Sequence, residues 1–208
     1  MTQPHINKRN ALVHSDDKLS ILLIDDNEAR ASALILALEH SRYQISHLLS
    51  SGASLLKKVD ELKPDIVVID IESPDRDILD SLHTLSNFNP KPIVMFSEQE
   101  DSDTIRRSVK SGVSAYVCGN ADPKRVRAIL DAALARFEEY QNVKQALAET
   151  KYELEAKKTI DSAKRMLIES RDMSENEAFH AMRKMAMDTG QKLEDVAKTL
   201  ISMLKTIK

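Results

Sequence analysis

Five short apolar runs recur at even spacing along the first part of the chain: Ser20–Asp25 (SILLID), Tyr43–Leu49, Asp65–Asp70 (DIVVID), Pro92–Ser97 (PIVMFS) and Ser114–Cys118 (SAYVC). The first, third and fourth are continuous rather than alternating, the pattern of strands covered on both faces of a parallel sheet. Between them the apolar residues take a helical period. Leu34, Ala37 and Leu38 share one face, as do Leu55, Leu56, Val59 and Leu62 before Pro64. Ile78, Leu79, Leu82 and Leu85 repeat the pattern before Pro90, and Ile105 and Val109 repeat it before Gly112. Strand alternating with helix predicts a doubly wound α/β domain on a five-stranded parallel sheet over residues 19–135.

From Asp122 the pattern changes. Asp122-Pro123 reads as an N-cap followed by a first-turn proline, and no further proline follows. One helix is expected from Pro123 to about Glu169. Leu130, Phe137, Lys144 and Lys151 recur at one heptad position of it, and Tyr140, Leu147 and Leu154 at another. That spacing predicts a short, imperfect coiled-coil seam over residues 124–156, weakened by the lysines. Ser174 followed by Glu177 is a capping box for a next helix, with Ala178, Phe179, Met182, Met185 and Ala186 inward and Gly190 as its stop. The last helix, Lys192–Ile207, collects Leu193, Val196, Ala197, Leu200, Ile201 and Leu204 on one face. Residues 145–206 thus predict a small three-helix bundle that leans on dimerisation for stability. Residues 1–18 are polar and predict a disordered tail without the apolar stretch of a signal peptide.

Charge sharpens the division. Residues 20–125 hold 12 Lys and Arg against 17 Asp and Glu, whereas residues 157–208 hold 11 against 8. An acidic front and a basic back suggest two tasks, with an anionic partner for the second. The single cysteine, Cys118, rules out an internal disulfide. No apolar run is long enough to span a bilayer, so a soluble, cytoplasmic protein is expected. The histidines lack ligand spacing and Ser97 has no evident base, which argues against an enzyme.

In an open α/β sheet, chemistry gathers at the carboxyl ends of the strands. Here those ends carry Asp25 and Asp26, Asp70, and Ser97. Converging carboxylates repel one another unless a cation joins them, and an all-oxygen set suits Mg²⁺, although no cofactor is required by anything else in the chain. The spacing resembles the receiver domain of two-component response regulators, a flavodoxin-like fold. That resemblance implies Asp70 as phospho-acceptor, Asp25 and Asp26 as the acidic pair, and Pro74 as the proline beyond the acceptor. It implies Ser97 and Tyr116 as switch residues, and Glu72 as the source of a main-chain metal ligand. One position departs: Gly119 stands where receivers carry a lysine, and Lys124 lies too far along to replace it. Without that cation a phosphoryl group loses a charge-assisted contact, which makes Asp70 an acceptor in architecture rather than in use.

Most of the basic residues of the second part lie on the helices before the last one: Lys157, Lys158, Lys164, Arg165, Arg171, Arg183 and Lys184, with Lys192 at the turn. Glu194 and Asp195 open the last helix, which disfavours a DNA-reading helix-turn-helix there. The run Ile160-Asp161-Ser162-Ala163-Lys164-Arg165-Met166-Leu167, the capping-box segment, Met182–Met187 and Lys192–Ala197 together resemble an ANTAR domain, an RNA-binding antitermination module. That resemblance implies Lys164, Arg165, Arg183, Lys184 and Lys192 as RNA contacts. Receiver and ANTAR domains together resemble the antiterminators of nitrate and amide utilisation. The nitrate-assimilation regulators are nearest, through Ile71-Glu72-Ser73-Pro74 and Ser111–Tyr116. The resemblance implies a homodimer on leader-mRNA hairpins, controlled by a ligand-sensing partner protein (a nitrate/nitrite sensor). The alternative is activation by phosphorylation of Asp70.

Overall fold

The computed structural model describes residues 18–49 and 54–206. The expected tail, residues 1–18, lies outside them apart from Lys18. The chain divides into two compact units, Met1–Tyr140 and Gln141–Lys208.

In the first unit all five predicted strands form: β1 (Leu19–Asp25), β2 (Tyr43–Leu49), β3 (Ile66–Asp70), β4 (Ile93–Ser97) and β5 (Ala115–Cys118). They make one parallel sheet in the order β2-β1-β3-β4-β5. The helices are α1 (Glu28–Leu38), α2 (Leu55–Leu62), α3 (Arg76–Phe88) and α4 (Ser102–Lys110), followed by α5, which begins at Val126. Side chains alternate across the sheet as the pleat requires. Ile21, Leu23, Ile66, Val68, Val94 and Phe96 bury against α1 and the start of α5. Leu22, Ile24, Val67, Ile69, Ile93 and Met95 bury against α2 and α3. Because each face is covered, every residue of β3 and β4 is buried, which is why their sequences read as unbroken apolar runs.

Two helical faces differ from the expectation. On α4 the buried residues are Thr104 and Ser108, while Val109 is half exposed. The Ser108 hydroxyl donates to the Thr104 carbonyl at 2.9 Å, so a buried polar face costs little here. On α2, Leu55 and Val59 are buried but Leu56 lies at the surface.

Helix α5 runs Val126–Arg171, three residues later than the proline suggested. Asp122 prepares its start, accepting from the Lys124 amide with its side chain and from the Val126 amide with its carbonyl. The first turns of α5 belong to the core of the first unit through Val126, Leu130 and Ala133. Asp131 fastens them further: Tyr43 Oη and Arg42 Nη2 each donate to its Oδ1 at 2.6 Å. Leu130 is therefore a core residue of the α/β unit and not part of a coiled-coil seam, correcting the heptad reading at that position. Further along α5, Tyr140, Val143, Leu147 and Leu154 are all more than half exposed.

The second unit packs the end of α5 with α6 (Glu175–Thr189) and α7 (Leu193–Thr206). Its core cluster is Ala163, Leu167, Ala178, Met182 and Ala197, with Ile160, Leu193, Leu200, Ile201 and Leu204 among the partly buried residues packed against it. The capping box forms as read: Ser174 Oγ accepts from the Glu177 amide and the Glu177 carboxylate accepts from the Ser174 amide. Gly190, at φ +64°, caps the other end of α6 in the left-handed conformation that ends helices. Phe179 and Met185, expected inward, are exposed. A narrow contact made largely by alanines lets the helices approach closely and leaves bulkier neighbours outside it.

Candidate functional site

The carboxyl ends of β1, β3 and β4 bring the predicted residues together. Asp25 pairs in register with Asp70 across β1 and β3, and Ser97 ends β4. Asp25 and Asp70 are almost fully buried, whereas Asp26 is exposed. Asn27 caps α1 through its side chain, and the helix carries Arg30 back over the strand ends.

Arg30 joins the acids, and the sequence reading missed it. Its Nη2 donates to Asp25 Oδ1 at 3.0 Å and to Asp26 Oδ1 at 2.7 Å, and its Nε lies 4.0 Å from Asp70 Oδ2. Nη1 donates to Asn120 Oδ1 at 3.3 Å. Burial works against the guanidinium charge, but the bond to Asp25 and the fields of Asp25, Asp70 and Asp26 outweigh it and raise its pKa. Its signal in the sequence was slight: an arginine four residues after Asp26 reads as an ordinary surface pair.

The loop after β5 completes the arrangement without a lysine. Gly119 sits at φ +89°, a conformation that side-chain-bearing residues rarely adopt, so a lysine placed there would strain the turn. Two residues on, the Ala121 amide donates to Asp70 Oδ2 at 3.2 Å. The Ser97 hydroxyl donates to the Glu72 carbonyl at 2.9 Å, and the Tyr116 hydroxyl donates to the Gln99 carbonyl at 2.8 Å. Both switch-position hydroxyls thus rest on main-chain carbonyls.

The pocket does not fit a divalent cation in this arrangement. Asp25 Oδ2 and Asp70 Oδ1 are buried without a hydrogen-bond partner, as a cation's ligands would be. The facing oxygens of Asp25 and Asp26, however, are held by Arg30, whose positive charge would repel a second cation on the same carboxylates. Among the described residues no cluster of three His, Cys, Asp or Glu side chains is spaced to hold a metal.

Asp70 has its pKa raised, first by burial and then by Asp25, against the pull of the Ala121 amide and Arg30. A carboxyl raised on folding takes up a proton in the window between its unfolded value, about 4, and its higher folded value. Its contribution therefore favours the fold below about pH 4 and is lost as pH rises through the folded pKa. Asp70→Asn is accordingly expected to stabilise the first unit near pH 7 by about 1 kcal/mol, a few degrees in Tm. Thermal melts from pH 4 to 8 check this, the gain vanishing at the acidic end.

In the second unit the five predicted contact residues separate into two kinds. Lys164 is mostly buried and bonded to Asp161 at 2.9 Å and to Glu175 at 3.0 Å, an ion triad that ties α5 to the start of α6. Arg165, Arg183, Lys184 and Lys192 are exposed and form no ion pair among the described residues. On α6, Phe179 and Met187 flank Arg183 at one-turn spacing and are exposed with it. At the start of α7, Glu194 is buried and bonded to Lys198 and to the Tyr152 hydroxyl, so its charge is committed inside the unit. No helix among the described residues is long and apolar enough to cross a membrane.

Residues 21–131 match the response regulator receiver domain, and residues 148–201 match the ANTAR domain. The chain is 25% identical over 188 residues to the transcriptional regulatory protein PdtaR of Mycobacterium tuberculosis, covering 90% of this chain and 92% of that protein. It is 29% identical over 119 residues to the DNA-binding response regulator MtrA of Mycolicibacterium smegmatis, covering 57% of this chain and 52% of that one. Among solved structures, a CheY-like response regulator receiver domain protein from Methanospirillum hungatei superposes with a TM-score of 0.52 at 19% identity. It covers 60% of this chain and 99% of that one, and shows the fold.

Proposed function

We propose, for a chain that belongs to the response regulator receiver family and carries an ANTAR domain, that it is a transcription antiterminator binding paired hairpins in leader mRNA. The observation that carries this reading is the set of unpaired, exposed cations on the ANTAR unit, with Phe179 and Arg183 side by side on α6. RNA loops present unstacked bases to aromatic and guanidinium groups while lysines and arginines meet the phosphates. No enzymatic step enters the proposal, and the site of action is the cytoplasm, where nascent transcripts are made.

Two copies acting together suit paired hairpins, because linking two weak sites raises the effective concentration of the second. The exposed stripe of Tyr140, Val143, Leu147 and Leu154 on α5 supports a homodimer seam, which sedimentation of the free chain reads directly. For control we favour a ligand-sensing partner protein, with nitrate or nitrite as the ligand, over phosphorylation of Asp70. The likeness of Ile71–Pro74 and Ser111–Tyr116 to the nitrate-assimilation regulators supports the ligand. The ion cluster over Asp70 supports control without a phosphoryl group.

The experiment is transcription in vitro through leader templates from the protein's own genome, with the full chain added. Terminator readthrough is expected to rise severalfold, to require both hairpins and to fall when salt is raised. Unchanged readthrough, with the folded chain not retained on leader RNA, overturns the reading. Phosphodonor-dependent readthrough that is lost in Asp70→Asn establishes the phosphorylation alternative instead.

A further inference from the structure

We propose that Arg30 is the resident cation of the receiver pocket, holding Asp25, Asp26 and Asp70 in one protein-only ion cluster that excludes divalent metal while the guanidinium is in place. The proposal stands on the receiver geometry alone and is independent of the RNA reading.

The guanidinium meets the acids from the α1 side. One nitrogen, Nη2, bridges Asp25 Oδ1 and Asp26 Oδ1, and it also lies 3.5 Å from the Asp70 main-chain carbonyl. Nε contacts Asp25 Oδ1 at 3.3 Å and approaches Asp70 Oδ2. Mg²⁺ needs oxygens at about 2.1 Å in near-octahedral array. Such an ion on the same carboxylates would sit against a like-charged guanidinium, and the two would repel strongly in a site this poorly solvated. One of the two must leave.

The rest of the pocket is adapted to the guanidinium. Asn120, in the loop after β5, accepts from Arg30. The Ala121 amide supplies a donor to Asp70 from that same loop, which bears no lysine. The Ser97 hydroxyl donates to the Glu72 carbonyl, which takes up one of that oxygen's two lone pairs. These contacts close the cluster using groups of the chain only. The balance is nevertheless incomplete: one guanidinium faces three carboxyl groups, and Asp25 Oδ2 and Asp70 Oδ1 stay buried and unbonded. Removing Arg30 therefore leaves a concentrated negative site with two oxygens already available, and the demand for a cation passes to solvent.

The test compares the full-length chain with Arg30→Met, which keeps the apolar stem and deletes the charge. The probes are Mn²⁺ binding by electron paramagnetic resonance and thermal melting with EDTA or millimolar Mg²⁺. The natural chain is expected to bind Mn²⁺ negligibly at millimolar concentration and to melt at the same temperature with or without Mg²⁺. Arg30→Met is expected to melt lower in EDTA, to recover several degrees with Mg²⁺, and to bind Mn²⁺ roughly tenfold or more tightly than the natural chain. Adding Asp70→Asn to that variant should remove the gain. If Arg30→Met does not fold, Arg30→Gln, which keeps hydrogen bonding without charge, takes its place. Tight Mn²⁺ binding by the natural chain overturns the proposal whatever the variants do. So does a folded Arg30 variant that gains no affinity.

Discussion

Alanine at Arg165, Arg183, Lys184 and Lys192 together is expected to abolish retention of leader RNA at physiological salt while the second unit stays folded. All four side chains are exposed and make no ion pair among the described residues, so their removal takes nothing from the packing. Each cation that meets a phosphate releases a counterion and contributes about 0.7 to the slope of log affinity against log salt on single-stranded RNA. Loss of all four would flatten that slope by roughly 3 and lower affinity on the order of a hundredfold or more near physiological salt. Filter binding across a salt series checks both quantities. Lys164→Ala serves as the contrast: that lysine is spent on Asp161 and Glu175, so its loss should lower the stability of the unit and leave the salt slope nearly unchanged. A fourfold variant that binds with the natural slope removes these residues from the interface.

Met182→Ala is expected to unfold the second unit outright. Met182 is completely buried, and its buried companions are Ala163, Leu167, Ala178 and Ala197. In a cluster made so largely of alanines, the methionine supplies much of the side-chain volume. Truncating a buried methionine costs about 2–5 kcal/mol. A small bundle rarely holds more than about 3–5 kcal/mol in total, so the loss is comparable with the whole stability. Circular dichroism should show helix lost well below the melting temperature of the natural chain, and RNA retention should disappear with it. The sheet unit does not draw on this cluster, so the melting transition of a receiver fragment ending near Tyr140 gives the reference for what remains. A variant that keeps its helix content and its RNA binding would show that the unit is held by something other than this core.

Legibility followed how local each determinant is. The central strands β1, β3 and β4 could be read because a strand covered on both faces is a continuous apolar run, and Val67, Val68 and Ile69 or Val94, Met95 and Phe96 need no partner to be recognised. The capping box at Ser174 and Glu177 is a contact across three residues and was equally plain. The buried face of α4 is not legible in the sequence, because apolar periodicity marks burial only where the buried residues are apolar. Thr104 and Ser108 are buried polar residues, and Ser108 satisfies its hydroxyl on a carbonyl of its own helix. The heptad position of Leu130 does not reveal its place, because a period near 3.5 describes a coiled-coil seam and a helix docked on a sheet equally well. Phe179 and Met185 are apolar and at helical spacing, which predicts core positions, but they are exposed because the small core forms around alanines.

The sequence by itself determined where the acids stand. Asp25, Asp70 and Ser97 each end an apolar run, and strand order plus parallel direction then delivers them to one edge of the sheet. It also showed, through Gly119, that the expected lysine is missing from the pocket. Only the tertiary structure decided which cation replaces it. Arg30 is four residues from Asp26 but forty from Asp70 and ninety from Asn120, and it meets all three. Periodicity is a local property of the backbone and survives in the sequence. The pairing of buried charge depends on which groups folding brings within a few ångströms, and along the chain Arg30 looks like any other surface arginine.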